Sequence, residues 1–314
     1  MWEEKNQTFV KDFILLGLLH QNQYGFLFLT LILIIFMAAI TGNTVLILLI
    51  RFEIRLHTPM YFLLSHLSFM DILHISNIVP KMASNFISGK NSISFAGCGV
   101  QIFFSLIFLG SECLLLSAMS YDRYVAICRP LHYPILMNHR ISVLLAAGCW
   151  LVGTINSTIH TTYVLHLPFC GTRAIDHFFC EVPAMLKLSC VDTSHYEGGI
   201  NVSGVVFLLT PFSIILASYH QILRTVLHIK SMEAQKKAFS TCSSHLVVVI
   251  MYYGPCIFTY MRPRSYHTPG QDKVLAILYT ILTPMLNPII YSLRNKDVLC
   301  ALKKVLGKAL VHRN

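Results

Sequence analysis

The chain has 314 residues, of which 55% are hydrophobic and 12% are charged, and its formal net charge is +10. A soluble domain carries roughly 25% charged residues, so this composition excludes an ordinary water-soluble domain and favours a membrane protein. A strongly basic chain would also suit a nucleic-acid partner, so the positions of the basic residues decide between the two interpretations.

Seven apolar segments are each long enough to cross a bilayer, which takes about 20 helical residues. They lie at about residues 24–50, 59–83, 97–127, 141–161, 198–228, 233–261 and 273–293. The predicted fold is therefore an all-α membrane protein, a bundle of seven transmembrane helices. Its predicted parts are a tail at 1–23, a helical domain at 24–294 with a long loop at 166–197, and a second tail at 295–314.

The basic residues collect on one side of this bundle. Fifteen of the 24 Lys and Arg residues fall on the side that carries Arg51, Arg123 and Lys236, and eight acids nearly cancel the nine on the other side. The positive-inside rule makes the more basic side cytoplasmic. We therefore expect a multi-pass plasma-membrane protein with an extracellular N-terminus, a cytoplasmic C-terminus and no nucleic-acid partner.

Each tail carries one informative pattern. Asn6-Gln7-Thr8 is an N-glycosylation acceptor on the side that the charges place outside, and the first 23 residues show no pattern typical of a cleavable signal peptide. Residues 295–314 place apolar side chains at three- and four-residue steps among lysines. This spacing predicts a short amphipathic helix that lies on the inner leaflet in contact with lipid.

The ten cysteines fall into two groups. Cys98, Cys170, Cys180 and Cys190 lie on the extracellular side, where four thiols predict two disulfides in one of three pairings. The other six lie in spans or on the inner side, where a small buried thiol is the ordinary interpretation. No C-x-x-C pair accompanies the fifteen histidines, so a zinc site is disfavoured.

Five motifs follow one another in a fixed order. They are Gly42-Asn43, LHTPMYFLLSHLSFMD (56–71), MSYDRYVAICRPLHY (119–133), KAFSTCSSH (237–245) and PMLNPIIYSLRNK (284–296). Together they resemble the signatures of odorant receptors, a branch of the rhodopsin-like G-protein-coupled receptors. The resemblance covers most of the chain between about residues 40 and 300.

The resemblance implies a receptor that couples a small volatile odorant to an intracellular heterotrimeric G protein of the stimulatory, cyclase-activating type. It selects the disulfide pairs Cys98–Cys180 and Cys170–Cys190. It also places the ligand in the outer half of the bundle, between helices three, five, six and seven. The candidate ligand-binding residues are Ser105, Leu106, Leu109, Gly110, Ser203, Phe207, Cys256, Ile257, Tyr260, Ile277 and Thr280.

The same motifs assign residues to signalling. The assigned set is Asp122, Arg123, Tyr124, Tyr219, Lys236, Lys237, Tyr253, Asn287, Pro288 and Tyr291. In this family the arginine meets the G protein, and the resemblance implies that Asp122 restrains Arg123 at rest. Tyr253 stands where most rhodopsin-like receptors carry Trp, in agreement with odorant receptors, and Pro255 predicts a kink.

Two acids are predicted deep in the membrane, where an ionisable side chain is a functional candidate by default. Asp71 lies roughly 18 Å along span two, and Glu112 lies near the middle of span three. Asn287 and Pro288 are expected to break span seven at a similar depth. The resemblance implies a polar cluster that can hold a sodium ion, and the alternative is a pair of protonated acids with structural roles. No other cofactor is expected.

Three other functions are weighed against an odorant receptor. The nearest alternative is a related receptor that is expressed outside the nose and tuned to a metabolite, which these residues do not exclude. A seven-span transporter commonly contains internal repeats, and none is visible here. An enzyme is disfavoured because no nucleophile, base and orienting group can be placed together.

The predicted pocket segments indicate the chemistry of the ligand. Residues 98–111, 200–211, 250–261 and 274–284 contain no Asp, Glu, Lys or Arg. A buried ammonium or carboxylate group would lack a partner there, at a cost of several kcal/mol, so we expect a small, neutral, mainly apolar ligand. Arg262 or Arg264 would change this expectation by folding inward and binding an acid.

Overall fold

The computed structural model describes residues 11–18, 21–262, 266–293 and 298–304. Within these ranges, seven helices are long and apolar enough to cross a membrane, which confirms the predicted fold class. They are α1 (Gln23–Phe52), α2 (Pro59–Ser88), α3 (Phe95–Cys128), α4 (His139–Leu165), α5 (Ser194–Leu227), α6 (Met232–Tyr260) and α7, which begins at Pro269 and ends at Leu293.

Local sequence explains where several helices begin. The side chains of Asn22, Ser94 and Asn138 accept hydrogen bonds of 2.8, 3.1 and 3.0 Å from the backbone N–H three residues later. Each bond satisfies a donor that the first turn of a helix leaves unpaired. Pro59 and Pro269 lie in the first turns of α2 and α7, where the missing N–H has little cost.

Two helices contain a π-helical segment, and both segments end at a Thr-Pro pair. In α5 the segment is Val205–Leu209, and Thr210 donates its hydroxyl to the Val205 carbonyl at 2.9 Å. Proline has no N–H, so Pro211 cannot continue the regular hydrogen-bond ladder, and the preceding turn widens instead.

The irregularity of α7 has the same cause. Its π-helical segment is Leu278–Leu282, which Thr283-Pro284 follows. The expectation that Asn287 and Pro288 break this span is wrong, because Thr283–Leu293 is one α-helix that contains Pro288. Proline has no N–H, so Pro288 leaves one backbone carbonyl of the preceding turn without its usual donor. A side chain of another helix donates a hydrogen bond to that carbonyl instead, and Pro288 is thereby accommodated in this helix.

A three-stranded sheet packs on the N-terminal end of α3. Strand β1 (Asp12–Leu15) pairs antiparallel with β2 (Ser92–Ser94) and parallel with β3 (Ala174–Ile175). The side chains of a strand alternate between faces, and accordingly Phe13 and Leu15 are buried while their neighbours are exposed. The sequence prediction treated residues 1–23 only as a tail and missed this strand.

Two disulfides hold the loop between α4 and α5. Cys98 bonds Cys180 and Cys170 bonds Cys190, with Cα–Cα distances of 5.5 and 5.4 Å. These are the two pairs that the family resemblance selects. The first bridge fixes the loop to the N-terminal end of α3, so the residues beside Cys180 lie over the helical bundle.

A further helical segment follows α7 on the opposite side. Residues 298–304 are helical, with Val298 and Ala301 buried and Lys304 paired with Glu53 at 2.9 Å. One buried face and one basic face agree with the predicted amphipathic helix. The glycosylation acceptor Asn6 lies outside the described residues.

Candidate functional site

The cavity named here the main cavity lies between α3, α4 and α5 and beneath the loop between α4 and α5. The empty space between its wall atoms, part of which is open to solvent, is about 520 Å³. Six predicted ligand-binding residues line it, namely Leu106, Leu109, Gly110, Ser203, Phe207 and Tyr260. The lining residues that the sequence analysis missed are Cys113, Asn156, His160, Val182, Ile200, Gly204 and Leu208. The wall is mostly apolar, with hydrogen-bonding groups only at a few points.

A smaller cavity of about 280 Å³ lies between α2, α3, α7 and the same loop. It shares Leu106, Leu109, Val182 and Tyr260 with the main cavity and adds the predicted residue Ser105. The Ser105 hydroxyl already accepts a hydrogen bond of 3.0 Å from Asn77. The other residues that line the smaller cavity are His74, Ile102, Phe179, Cys180, Glu181 and Tyr279.

Four predicted ligand-binding residues line neither of these two cavities. They are Cys256, Ile257, Ile277 and Thr280. Cys256 and Thr280 are fully buried, and the Thr280 hydroxyl donates to the backbone carbonyl of Ala276. The structure therefore places these positions in the packing between helices. The cavities lie closer to α4 and to the loop between α4 and α5 than the sequence predicted.

The loop places a carboxyl group beside the smaller cavity. Glu181 Oε1 accepts hydrogen bonds from the hydroxyls of Tyr260 in α6, at 2.9 Å, and of Tyr279 in α7. Its other oxygen lies 3.4 Å from His177 Nε2. Burial raises the pKa of Glu181 to about 7 and lowers the pKa of His177 to about 3. Both side chains are thus largely neutral between about pH 3 and pH 7.

Glu181 adds an ionisable group to a pocket that the sequence predicted to have none. The four helical segments contain no charged residue, but the Cys98–Cys180 bridge brings the neighbouring Glu181 to the cavity wall from a distant loop. Sequence reasoning missed it because it considered only residues on the spans. Arg262 does not fold into the cavity, since it pairs with Asp272 at 2.5 Å. Arg264 lies outside the described residues.

The two deep acids have separate partners. The carboxylate of Asp71 accepts hydrogen bonds from Asn287 Nδ2 at 2.9 and 3.2 Å, whereas Glu112 lies 3.4 Å from His74 Nδ1. Asn287 Oδ1 is buried without a hydrogen-bond partner in the described part of the chain. An unpaired oxygen beside a carboxylate suits a small cation such as sodium, and Asn287 fits this role better than Glu112.

Helix α6 is tied to α3 by two adjacent tyrosines. Tyr252 donates its hydroxyl to the Leu109 carbonyl at 3.1 Å, and Tyr253 donates to the Cys113 carbonyl at 2.6 Å. Both rings are almost fully buried. A tryptophan at residue 253 would lack the hydroxyl that makes the second bond. These tyrosines connect the cavity wall at Leu109 directly to α6.

At the C-terminal end of α3, the partner of Asp122 differs from the expected one. Its carboxyl group accepts a hydrogen bond of 2.8 Å from Tyr133, in the short helix Tyr133–Leu136. The ion pairs found among the described residues do not include one between Asp122 and Arg123. Arg123 Nε is buried without a hydrogen-bond partner in those same ranges. The two side chains thus make no direct ion pair among the described residues, although the charge of Arg123 still acts on the Asp122 carboxyl group, and the restraint of Arg123 by Asp122 stays a prediction.

A buried histidine connects three helices near Arg123. His245 Nδ1 lies 2.8 Å from the Tyr219 hydroxyl of α5, and its Nε2 lies 3.1 Å from the Leu116 carbonyl of α3. Tyr219 and Tyr291 are close enough for the charge of Arg123 to act on them. The sequence analysis assigned no role to His245, although it ends the KAFSTCSSH motif.

The remaining signalling residues lie around the same end of the bundle. Tyr124 is half-buried and packs beside Cys242, Tyr291 is buried, and Lys236 is exposed near the start of α6. The side chain of Lys237 lies outside the described residues. In the described part of the chain, no group of three or more His, Cys, Asp or Glu side chains is placed to hold a metal ion.

Comparison with known proteins supports the resemblance over nearly the whole chain. The family model described as olfactory receptor matches residues 31–309. The chain is 66% identical to human (Homo sapiens) olfactory receptor 2AJ1 over 309 residues, which cover 98% of this chain and 94% of that protein. It is 57% identical to human olfactory receptor 2L8, covering 96% and 97%, and 53% identical to mouse (Mus musculus) olfactory receptor 2V1, covering 98% and 97%. The chain belongs to the olfactory receptor family of G-protein-coupled receptors, and is a receptor and not an enzyme.

Proposed function

We propose that this receptor binds a small, neutral, mainly apolar odorant in the cavity between α3, α4 and α5. The observation that carries the proposal is the lining of that cavity, in which Leu106, Leu109 and Phe207 present apolar surface and Ser203 and Tyr260 present hydroxyl groups. Apolar contact supplies most of the binding free energy of such a ligand. One or two hydrogen bonds orient it, each contributing about 0.5–1.5 kcal/mol net.

Glu181 is compatible with a neutral ligand. Its pKa of about 7 keeps a large fraction of the carboxyl protonated at neutral pH. Both tyrosine hydroxyls donate to the same oxygen, and the second oxygen faces His177, so the group is already engaged with protein. An amine would have to displace these contacts before it could pair with the carboxylate.

The proposed signalling route runs from the cavity to the cytoplasmic end of α6. Leu109 lines the cavity and accepts through its carbonyl the hydrogen bond from Tyr252. A ligand that shifts α3 relative to α6 at this level changes a contact that both helices share. Movement of α6 would then act on the contacts of His245 with Tyr219 and Leu116 beside Arg123.

The proposed partner at this end is a heterotrimeric G protein of the stimulatory type, reached by Arg123 and Lys236. The N-terminus is then extracellular, in agreement with the disulfides on its side of the bundle. The proposed parts of the chain are the tail 1–23, the helical domain 24–294 and the inner tail 295–314, with Asn6 as the proposed glycosylation site. Sodium at Asp71 and Asn287 is also a proposal.

The test is a cyclic-AMP reporter screen of alcohols, esters, amines and carboxylic acids of equal carbon number. We expect activation by neutral members, and for the active compound we expect Leu109→Ala to raise the half-maximal concentration about ten- to fiftyfold through lost apolar contact. Leu144→Ala is the matched control, because Leu144 is 62% exposed on α4. Selective activation by an amine or an acid would refute the neutral ligand. Equal responses of the two alanine variants would refute the site.

A further inference from the structure

The main cavity adjoins a groove on the outside of the bundle between α4 and α5. The groove is lined by both helices and has an empty volume of about 1230 Å³. Asn156, His160 and Ser203 line the groove and the cavity alike. These three side chains therefore form the partition between the two spaces.

The groove faces the region that lipid occupies in a membrane. The apolar side chains Ile155, Ile159, Val202 and Val206 lie on the same stretches of α4 and α5 and are between 48% and 64% exposed. Exposed apolar side chains on a transmembrane helix contact the hydrocarbon of the bilayer. Asn156 precedes the outer end of α4 by nine residues, or roughly 14 Å of helix, which places the partition in the outer leaflet.

The partition is closed by hydrogen bonds and not by close packing alone. His160 Nε2 lies 2.7 Å from the Ser203 hydroxyl, which joins α4 to α5. His160 Nδ1 lies 2.9 Å from the hydroxyl of Tyr196, at the outer end of α5. Ser203 directly precedes Gly204 and the π-helical segment of α5, where the regular hydrogen-bond ladder is already interrupted.

We propose that the groove between α4 and α5 is a lateral entrance through which small apolar molecules pass from the outer leaflet into the cavity, with the His160–Ser203 contact as its gate. The inference deepens the proposed function and rests on it, because the molecule admitted is the neutral odorant assigned to the cavity. Such molecules concentrate in the bilayer, since each added methylene group favours transfer out of water. A membrane-side opening meets them where they accumulate.

A rival entrance exists at the extracellular surface. A cleft of about 930 Å³ shares Ile200 and Tyr260 with the cavity, but its walls include the charged residues Lys187, Glu197 and Arg262. An apolar molecule gains little from such a wall. The residues that line the lateral groove outside the partition include no Asp, Glu, Lys or Arg, namely Thr158, Ile159, Thr162, Tyr163, His166, Tyr196 and Gly199, and most of the surface they present is carbon. The lateral route therefore offers the smaller barrier to a neutral molecule.

Two adjacent glycines supply a matched test. Gly199 lines the groove, whereas Gly198 does not, and a Cβ atom at either position would meet no heavy atom within 4 Å. Tryptophan can therefore be introduced at both without a clash at Cβ. Gly199→Trp fills the groove, and Gly198→Trp places the same ring about 100° further round the helix.

The measurement is the rate at which a thiol inside the cavity is modified. The receptor carries Leu109→Cys and is reconstituted in phosphatidylcholine vesicles. N-hexylmaleimide labels the introduced thiol, and mass spectrometry of the peptide that contains residue 109 follows the labelling over time. We expect Gly199→Trp to slow labelling about tenfold and Gly198→Trp to leave it within about twofold. Ser203→Ala removes the gate contact and is expected to accelerate labelling.

Three results would overturn the entrance. The first is an equal labelling rate in the two tryptophan variants. The second is faster labelling by a charged, membrane-impermeant methanethiosulfonate than by the maleimide, which would indicate that molecules enter through the extracellular cleft. The third is an unlabelled thiol in the folded receptor that reacts once the receptor is unfolded. None of these measurements uses an odorant, so the entrance and the proposed ligand site can fail independently.

Discussion

Replacing Glu181 by leucine should loosen the parts of α6 and α7 that contact the loop between α4 and α5. The substitution roughly conserves side-chain size but removes the acceptor for the hydroxyls of Tyr260 and Tyr279. A buried donor left without an acceptor costs about 1–3 kcal/mol. The unpaired hydroxyl of Tyr279, which is 2% exposed, should cost an amount within that range. Tyr260 is only half-buried and its hydroxyl also interacts with that of Tyr279, so its loss of Glu181 should cost about 1 kcal/mol.

The expected loss of stability is therefore about 2–4 kcal/mol. In a purified receptor it should lower the midpoint of thermal unfolding by at least about 4 °C, taking roughly 2 °C for each kcal/mol in a chain of this size. Glu181→Gln is the matched control, because its amide oxygen still accepts from both hydroxyls. The free energy of unfolding of Glu181→Gln should remain within about 1 kcal/mol of that of the parent.

A triple variant distinguishes the stability lost through the hydrogen bonds from the stability lost through side-chain packing. When Tyr260→Phe and Tyr279→Phe accompany Glu181→Leu, no donor is left unpaired, and most of the lost stability should return. Equal stability of Glu181→Leu and Glu181→Gln would refute the reasoning, since it would mean that the hydroxyls find other acceptors. A triple variant that is no more stable than Glu181→Leu would assign the loss to packing instead.

Three further predictions concern pH, packing and coupling. The pKa of Glu181 is about 7 in the folded protein against an ordinary value of 4.5, so the folded state loses stability as the pH rises from about 4.5 to 7. Raising the pH from 5 to 7.5 should therefore lower the midpoint of thermal unfolding of the parent more than that of Glu181→Gln. Gly42→Ala should lower the free energy of unfolding by about 1–3 kcal/mol, because its Cβ would lie 3.0 Å from Pro288 Cγ. The control Gly148→Ala should not lower it, because a Cβ there meets nothing within 4 Å. Arg123→Ala should abolish cyclic-AMP responses at normal surface expression, and normal responses would refute its assignment to coupling.

The positions of the helices were predictable because hydrocarbon thickness and helix geometry alone determine them. A span needs about 20 apolar residues, and every such segment in the chain became a helix. The ends were less predictable, since α2 continues to Ser88, five residues past its apolar segment, where Gly89 adopts the left-handed conformation that ends it.

The walls of the site were only partly predictable, because two of them come from outside the assumed helices. Glu181 reaches the smaller cavity through a disulfide whose effect on position cannot be read from spacing. His160 and Asn156 lie on α4, which the family resemblance does not include among the pocket helices. A histidine in the outer half of an apolar span was the available signal, since a polar side chain there requires a partner.

The Gly42-Asn43 and Pro288 motifs form one contact, although they lie at opposite ends of the helical domain. Pro288 has no N–H to donate to the carbonyl four residues earlier, which belongs to Pro284. Asn43 Nδ2 donates to that carbonyl at 2.8 Å, across 241 residues of chain. This bond requires α1 to approach α7 closely, and Gly42 permits the approach because any Cβ there would press on the Pro288 ring. The proline, the asparagine and the glycine therefore depend on one another, and Asn43→Ala would leave a carbonyl unpaired inside the membrane, where no water can replace the lost donor.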